Sequence, residues 1–192
     1  MIRIVSIVDD FFDDISGIRQ VAMSQKFIKE AGEVYNGANS PRFTADTYNI
    51  IPKVENIINR SLETHSIAGS FRLALAGAQP GNAVHTDVEK IPEHKKQPYW
   101  QLVVYLDEEP KGSLSFFTHT SGVYRAAEEG NFPISHYYDL GFWDSWLTVK
   151  TKANRAVIFP SDLYHAPGLP FGYGNSVTEG RLILWMQLRE SL

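Results

Sequence analysis

The stretch that decides the fold is WQLVVYLDEEPKGSLSFF, residues 100–117. Its first part, residues 100–106, is apolar and rich in β-branched and aromatic residues, as a buried strand requires. Residues 114–117 have the same character, and the polar segment between the two parts contains a proline and a glycine. Because these residue types favour turns, the stretch predicts two strands joined by a turn.

Further strands and two helices are predicted around this pair. The remaining strand-like segments are short, at residues 1–8, 71–76, 83–87, 156–159 and 182–188. Helical apolar spacing instead marks residues 15–31, which begin after two aspartates and end before a glycine, and about 52–64. Residues 36–46 are rich in turn formers and are predicted as a loop. Two helices followed by many short strands predict an α+β chain, mainly β, with a sandwich or barrel core.

One long segment, residues 119–152, lies between predicted strands and is rich in aromatic residues. Long connections inside compact domains are often lids or binding loops. A loop that packs its aromatic side chains onto the sheet fits the sequence equally well. The segment is therefore a candidate for substrate contact, with the packing loop as the alternative.

Length, composition and charge limit the class of protein. The 192 residues fit a single domain, with a helical part at about residues 10–66 and a β core at about 70–192. The net charge of -4 argues against a nucleic-acid binder. The chain has no cysteine, which excludes disulfides, thiolate zinc sites and cysteine nucleophiles. No apolar run has the length of a signal peptide core or a membrane span, so we expect a cytoplasmic protein with no membrane partner.

The triplet His85-Thr86-Asp87 and the later His165 are candidate metal ligands. On a strand, residues two apart point to the same side, so His85 and Asp87 can reach one ion. Two histidines and one carboxylate hold a ferrous ion on one face and leave the other face open for small molecules and oxygen. We interpret the other histidines as non-ligands: His65, His94, His119 and His136.

Arg181 begins the last strongly apolar strand, residues 182–188. A charged residue at that place costs free energy unless it is paired, and a dianionic ligand inside a barrel would supply the partner. Arg155 is a rival for this role, but it precedes a strand and is predicted to lie on the surface.

With these candidate residues in this order, the chain resembles the iron(II)- and 2-oxoglutarate-dependent dioxygenases, and within them the prolyl 4-hydroxylase-like branch. The resemblance implies a double-stranded β-helix, which is a cupin-like jelly roll, with N-terminal helices packed on the sheet. It spans most of the chain and is carried by IVDDFF (7–12), QPGNAVHTD (79–87), VVYLDEEPKGSLSFF (103–117), NRAVIFPSDLYHAPG (154–168) and GRLILWMQL (180–188).

The resemblance also implies residue roles. The residues that match the Fe(II) triad, and with it the catalytic centre, are His85, Asp87 and His165. The residues that match binders of 2-oxoglutarate are Arg181 for the far carboxylate, Tyr105 beside it, and Gln79 and Gln101 as polar neighbours. One departure is that Arg181 lies 16 residues after His165, a longer gap than relatives usually have. The intervening loop contains no Lys or Arg, so Arg181 is the first base available.

The activity implied by this resemblance is hydroxylation coupled to conversion of 2-oxoglutarate and O2 to succinate, with ascorbate as an accessory reductant. The implied substrate is a peptidyl proline or another amino-acid side chain. Since the fold serves many substrates, three alternatives stay open. They are a small-molecule hydroxylase of the same superfamily, a cupin-type metal protein that does not use 2-oxoglutarate, and a binding module without catalysis.

Overall fold

The structure, a computed structural model, describes residues 5–29, 36–44, 46–63, 67–79, 84–87, 99–125 and 132–191. Its α-helices are α1 (Ile15–Met23) and α2 (Ile50–Ile58), and short 3-10 turns lie at Thr47–Asn49, Ile134–Tyr138 and Leu140–Phe142. Its strands are β1 (Ser6–Val8), β2 (Ala38–Asn39), β3 (Phe43–Thr44), β4 (Ile67–Ala74), β5 (Tyr99–Tyr105), β6 (Ser113–His119), β7 (Trp143–Lys150), β8 (Ala156–Pro160), β9 (His165–Pro167) and β10 (Arg181–Arg189).

The strands form two antiparallel sheets. The larger sheet has the order β1-β8-β5-β10-β4-β2, with β3 also paired to β4, and the smaller has the order β7-β6-β9. Residues 84–87 are joined to the smaller sheet by an isolated bridge between His85 and His165. The prediction of an α+β, mainly β chain is confirmed, and the two strands of residues 100–117 become β5 and β6 in different sheets.

Two cores follow from the alternation of side chains along the strands. On β5, Leu102 and Val104 face the outer side, where they join a cluster with the helices. Val103 and Tyr105 face the inner side, in a cluster between the two sheets. Since side chains alternate, Gln101 shares the inner face with Tyr105. The inner face of the larger sheet therefore packs against the smaller sheet, and side chains of both sheets form the core between them.

Both helices are shorter than the sequence predicts. Helix α1 begins where the Asp14 carboxylate accepts a hydrogen bond from the Gly17 amide at 2.9 Å, but it ends at Met23 and not near residue 31. The Ser24 hydroxyl donates to the Val21 carbonyl at 2.8 Å, which satisfies a carbonyl of the last turn. Helix α2 ends at Ile58 and not near residue 64, because Asn59 takes a left-handed conformation with φ 53°.

Two predicted loops contain strands. Residues 36–46 hold β2 and β3, which pair with β4 and are each two residues long. The larger correction concerns residues 119–152, since β7 occupies the end of this segment and pairs with β6 along its whole length. Its sequence, WDSWLTVK, mixes polar and apolar residues on an exposed strand, and the aromatic content of the segment hid this pattern.

The N-terminal segment is fixed to the β core by Asn154. Its side-chain oxygen accepts from the Phe12 amide at 2.9 Å, and its side-chain nitrogen donates to the Phe12 carbonyl at 2.8 Å. Asn154 is buried and has a left-handed backbone with φ 59°, which asparagine tolerates better than most residues. In the described part of the chain, no helix is long and apolar enough to cross a membrane.

Candidate metal and cosubstrate site

The three predicted metal ligands meet at one point between the sheets. The ligand atoms of His85, Asp87 and His165 all lie within 4.8 Å of one another. Paired backbone hydrogen bonds of 3.0 and 2.9 Å join His85 to His165, and their ring centroids are 4.4 Å apart. The Asp87 carboxylate lies 3.6 Å from Nε2 of His165. The fold thus brings together ligands that are about eighty residues apart in the chain.

The orientation of His165 is fixed by a backbone group. Its Nδ1 donates to the Leu163 carbonyl at 2.9 Å, and the ring is buried with Phe159 in edge contact at 4.8 Å. With Nδ1 carrying the proton, Nε2 keeps its lone pair and faces Asp87. A histidine held in this way can bind a metal ion without changing its rotamer or tautomer.

His85 is held in the neutral form that a metal needs. Burial is the main cause that lowers the pKa of His85 to about 4, and the neighbouring His165 adds to it. Nδ1 of His85 is buried and makes no hydrogen bond with the described residues. Since a buried polar nitrogen without a partner is costly, a divalent cation is a good explanation for this arrangement.

The middle and last residues of the triplet follow strand alternation. Thr86 is buried, and alternation along an extended segment places its side chain opposite those of its two neighbours, whereas Asp87 lies with the histidines. The Asp87 amide donates to the Ser161 carbonyl at 3.0 Å, and the side chain of Gln187 donates to the Asp87 carbonyl at 3.4 Å. A backbone contact from the residue after β8 and a side-chain contact from β10 therefore fix the backbone that carries this carboxylate.

The donor set fits a divalent cation such as Fe(II). Two neutral imidazoles and one carboxylate give a net charge of +1 with the ion, and three coordination positions stay open. The ligands are preorganised by hydrogen bonds to backbone groups that do not bind the metal. The geometry can thus hold an ion that presents an open face to small molecules.

Arg181 and Tyr105 lie together on the inner face of neighbouring strands. Both are buried, and the guanidinium carbon of Arg181 is 5.1 Å from the centroid of the Phe171 ring. Burial raises the pKa of Tyr105, while the charge of Arg181 opposes that rise, so the hydroxyl remains a donor at neutral pH. Among the described residues, no carboxylate forms an ion pair with Arg181. A guanidinium and a hydroxyl in this arrangement can both donate to a carboxylate.

Asp107 was not among the predicted site residues, yet it supports the start of β10. It is buried, and its carboxylate accepts from the Leu182 amide at 2.5 Å and from the Tyr173 hydroxyl at 2.7 Å. Burial raises the pKa of Asp107 to about 6, and these two hydrogen bonds and the charge of Arg181 act in the opposite direction. The residue ties the loop before β10 to the strand that carries Arg181.

The two predicted glutamines occupy different environments. Gln101 is fully buried on the inner face, and its side-chain nitrogen donates to Ser161 Oγ at 2.8 Å. Its side-chain oxygen is buried and has no hydrogen bond to the described residues. Gln79 is exposed at the end of the turn after β4. Gln101 is therefore linked to Asp87 through Ser161, whose carbonyl accepts from the Asp87 amide, whereas Gln79 lies at the surface.

The residues interpreted as outside the site lie apart from it where they are described. His119 faces His136 at 3.0 Å and stacks on Phe132 in an aromatic cluster. Arg155 is bound to Asp9 at 2.6 Å on the surface. Tyr164, the residue before His165, packs into the same aromatic cluster, although it adjoins a metal ligand in the sequence. His65 and His94 lie outside the described residues.

Comparison with solved structures identifies the fold. The carbocyclase SnoK of nogalamycin biosynthesis, a non-heme α-ketoglutarate-dependent enzyme, matches with a TM-score of 0.63 and 11% identity over 97% of this chain and 79% of its own. A prolyl-4-hydroxylase of Pseudomonas putida matches with a TM-score of 0.55 and 14% identity over 99% and 94%. The chain has the fold of the 2-oxoglutarate- and iron-dependent oxygenases.

This oxygenase fold is also that of the viral collagen prolyl hydroxylase of Paramecium Bursaria Chlorella virus-1, solved with 2-oxoglutarate. It matches with a TM-score of 0.54 and 12% identity over 98% of this chain and 96% of its own. No protein-family model matches the chain, and a comparison with curated proteins gives no match. The similarity to these solved structures therefore confirms the double-stranded β-helix that the sequence predicts.

Proposed function

We propose that the protein is an Fe(II)- and 2-oxoglutarate-dependent oxygenase that hydroxylates a prolyl or other amino-acid side chain. The observation that carries the proposal is the convergence of His85, Asp87 and His165 on one point inside this fold. Two of the proteins that share this fold are prolyl hydroxylases, which supports the substrate class. A cytoplasmic location is part of the proposal.

The cosubstrate would lie between the metal ligands and Arg181. When bound, iron supplies oxygen activation and the redox chemistry. Arg181 and Tyr105 would hold the far carboxylate of 2-oxoglutarate through charge-assisted hydrogen bonds, which fix its position and angle. Gln101, on the same inner face, is proposed as a further polar neighbour, and Gln79 as a weaker one on the resemblance alone.

The charges of the site support this arrangement. The ion and Asp87 leave one positive charge, and 2-oxoglutarate brings two negative charges. Arg181 completes a neutral group, which a largely buried pocket tolerates far better than a net charge. The rings of Phe116 and Phe159 pack against each other and against His165, so this side of the site is apolar.

The test is binding and turnover of 2-oxoglutarate. We expect the Fe(II)-loaded protein to bind 2-oxoglutarate in a calorimetric titration and to release succinate slowly without substrate. Arg181→Gln should weaken 2-oxoglutarate binding by roughly tenfold or more, because a charge-assisted contact is lost. The matched control is Arg155→Gln, which removes an arginine that lies just before β8 and is paired with Asp9. Equal affinity in both variants, or no binding to the wild-type protein, would refute the proposal.

A further inference from the structure

The loop between β9 and β10 lies at the end of the larger sheet where Arg181 begins its strand. Arg181 pairs with Ala74, the last residue of β4. The loop is tied to the same place, since the Tyr173 amide donates to the Ala74 carbonyl at 3.4 Å. It starts at the smaller sheet, where the Gly168 amide donates to the carbonyl of Ser113, the first residue of β6, at 2.8 Å. The loop therefore links the two sheets beside Arg181.

The middle of this loop is packed closely against the chain that follows β4. A Cβ atom on Gly172 would collide with the Leu75 carbonyl oxygen, so only glycine allows the two backbones to approach this closely. Farther along the loop, the Gly174 carbonyl accepts a hydrogen bond from the Ala76 amide at 2.9 Å. The backbone on the C-terminal side of Phe171 is thus fixed against the turn after β4.

The ring of Phe171 lies against the guanidinium of Arg181. The guanidinium carbon is 5.1 Å from the ring centroid, and both side chains are buried. A cation–π contact of this kind uses the face of the guanidinium. The N–H groups lie in its plane, at the edge, where they can donate in pairs to the two oxygens of a carboxylate. The ring therefore restricts the guanidinium without occupying the donors that a carboxylate needs.

Tyr173, two residues after Phe171, connects the loop to the strand that carries Arg181. Its hydroxyl donates to one oxygen of the buried Asp107 carboxylate at 2.7 Å. The other oxygen accepts from the amide of Leu182, the residue that follows Arg181. One carboxylate thus bonds both to the loop and to β10, so the aromatic ring and the arginine are fixed relative to each other.

We propose that Phe171 is a positioning residue for the cosubstrate: its ring holds Arg181 in the orientation that receives the far carboxylate of 2-oxoglutarate. The inference rests on the proposed function and adds a residue to its cosubstrate site. An arginine side chain that is free to rotate has to be ordered when the carboxylate binds, and this ordering lowers the affinity. Phe171 removes part of that cost, because the guanidinium is already held in the free protein.

A positioning role has an effect confined to the far carboxylate, and a second ligand isolates it. The acid 2-oxovalerate has the same carbon chain and 2-oxo acid group as 2-oxoglutarate, but a methyl group in place of the far carboxylate. Both acids can bind the metal through the 2-oxo acid group, and only 2-oxoglutarate brings a charge to Arg181. Loss of the Phe171 ring should weaken binding of 2-oxoglutarate alone, whereas general damage to the fold would weaken binding of both acids.

The test is calorimetric titration of both acids into the full chain loaded with Zn(II). Phe171→Leu keeps most of the buried volume and removes the ring face. We expect its Kd for 2-oxoglutarate to rise roughly three- to tenfold, the cost of ordering one long side chain, with the Kd for 2-oxovalerate unchanged. The matched control is Phe43→Leu, which removes a ring from the outer cluster, where it lies 5.2 Å from the ring of Phe71, and should change neither affinity.

A second variant tests the loop without altering Phe171. Tyr173→Phe keeps the aromatic ring and removes the donor to Asp107. It should weaken 2-oxoglutarate binding by roughly two- to fivefold and leave 2-oxovalerate binding unchanged, since one hydrogen bond is lost while the backbone contacts of the loop remain. Unchanged affinity for 2-oxoglutarate in Phe171→Leu, or an equal loss for both acids in either variant, would overturn the proposal. If Phe171→Leu does not fold, unchanged affinity in Tyr173→Phe overturns it.

Failure of this inference can be separated from failure of the proposed function with Arg181→Gln as the reference. If the wild type prefers 2-oxoglutarate over 2-oxovalerate and Arg181→Gln loses that preference, the cosubstrate site is as proposed. A full preference in Phe171→Leu then refutes the role of Phe171 alone. If the metal-loaded wild type does not bind 2-oxoglutarate, the proposed function and this inference are both wrong.

Discussion

The buried carboxylate of Asp107 makes a quantitative prediction about stability and pH. Its pKa is raised from the ordinary 3.8 to about 6, mainly by burial. Below about pH 4 the carboxyl is protonated in both the folded and the unfolded protein. As the pH rises toward 6, the unfolded chain loses its proton first, which favours unfolding. Asp107 therefore lowers the stability of the protein at neutral pH relative to acid pH.

The size of the effect follows from the shift. A difference of about two pKa units, at about 1.36 kcal/mol per unit, amounts to roughly 3 kcal/mol. Asp107 is 6% exposed, so solvent screening reduces this value little. In Asp107→Asn the amide oxygen can still accept from the Leu182 amide, and the ionisation is absent. The variant should therefore gain roughly 3 kcal/mol relative to the wild type between about pH 4 and about pH 7.

The assay is urea unfolding of both proteins at a series of pH values across this window, with the free energies of unfolding compared at each pH. Taking the difference between the two proteins cancels the contributions of other carboxylates. Asp144→Asn, which removes an exposed carboxylate, controls for the loss of one negative charge. If the difference between the wild type and Asp107→Asn does not change with pH, burial of Asp107 does not have the effect inferred here.

Three further predictions concern the metal, the glutamines and the N-terminal anchor. Zn(II) at about a hundred times its Kd should add roughly 2.7 kcal/mol to the free energy of unfolding of the wild-type protein. In thermal unfolding, Zn(II) should stabilise the wild type and leave His165→Ala unchanged. Gln101→Leu should weaken 2-oxoglutarate binding in calorimetry, and Gln79→Ala should do so less, because only Gln101 is buried on the inner face. Asn154→Ala should lower stability to urea by about 2–4 kcal/mol, since two buried backbone groups of Phe12 lose their partners; a loss below about 0.5 kcal/mol would contradict this account.

The sequence predicts strands well where burial is complete and less well where it is partial. β5, apart from Gln101, and β8 consist of apolar and aromatic residues, because they lie between two cores, and their bounds differ from the prediction by at most one residue. β7 has one exposed face, so its pattern is mixed, and it was predicted as part of a loop. Both helices were predicted too long, since apolar residues continue after the residues that end them.

Site residues could be predicted where a short spacing in the sequence determines which side chains lie on the same face of an extended segment. The spacing of His85 and Asp87 places both on one face of an extended segment, and this needs no knowledge of the partner strand. The buried role of Asp107 depends on the loop that brings Tyr173 to it, 66 residues later in the chain. No local pattern carries that information, so this contact becomes visible only in the folded protein.

Arg72 and Arg181 show why charge in a strand has to be judged with the register of the sheet. Arg181 stands at the start of a strand, where the sequence alone predicts a charge that needs a partner. Arg72 stands inside an alternating segment, where a polar residue is ordinarily on the solvent side. In this fold the second sheet covers that side, and the pairing of β4 with β10 places the guanidinium over Trp185. A residue that the sequence pattern would place on the surface is therefore a charged group on the inner face of the larger sheet.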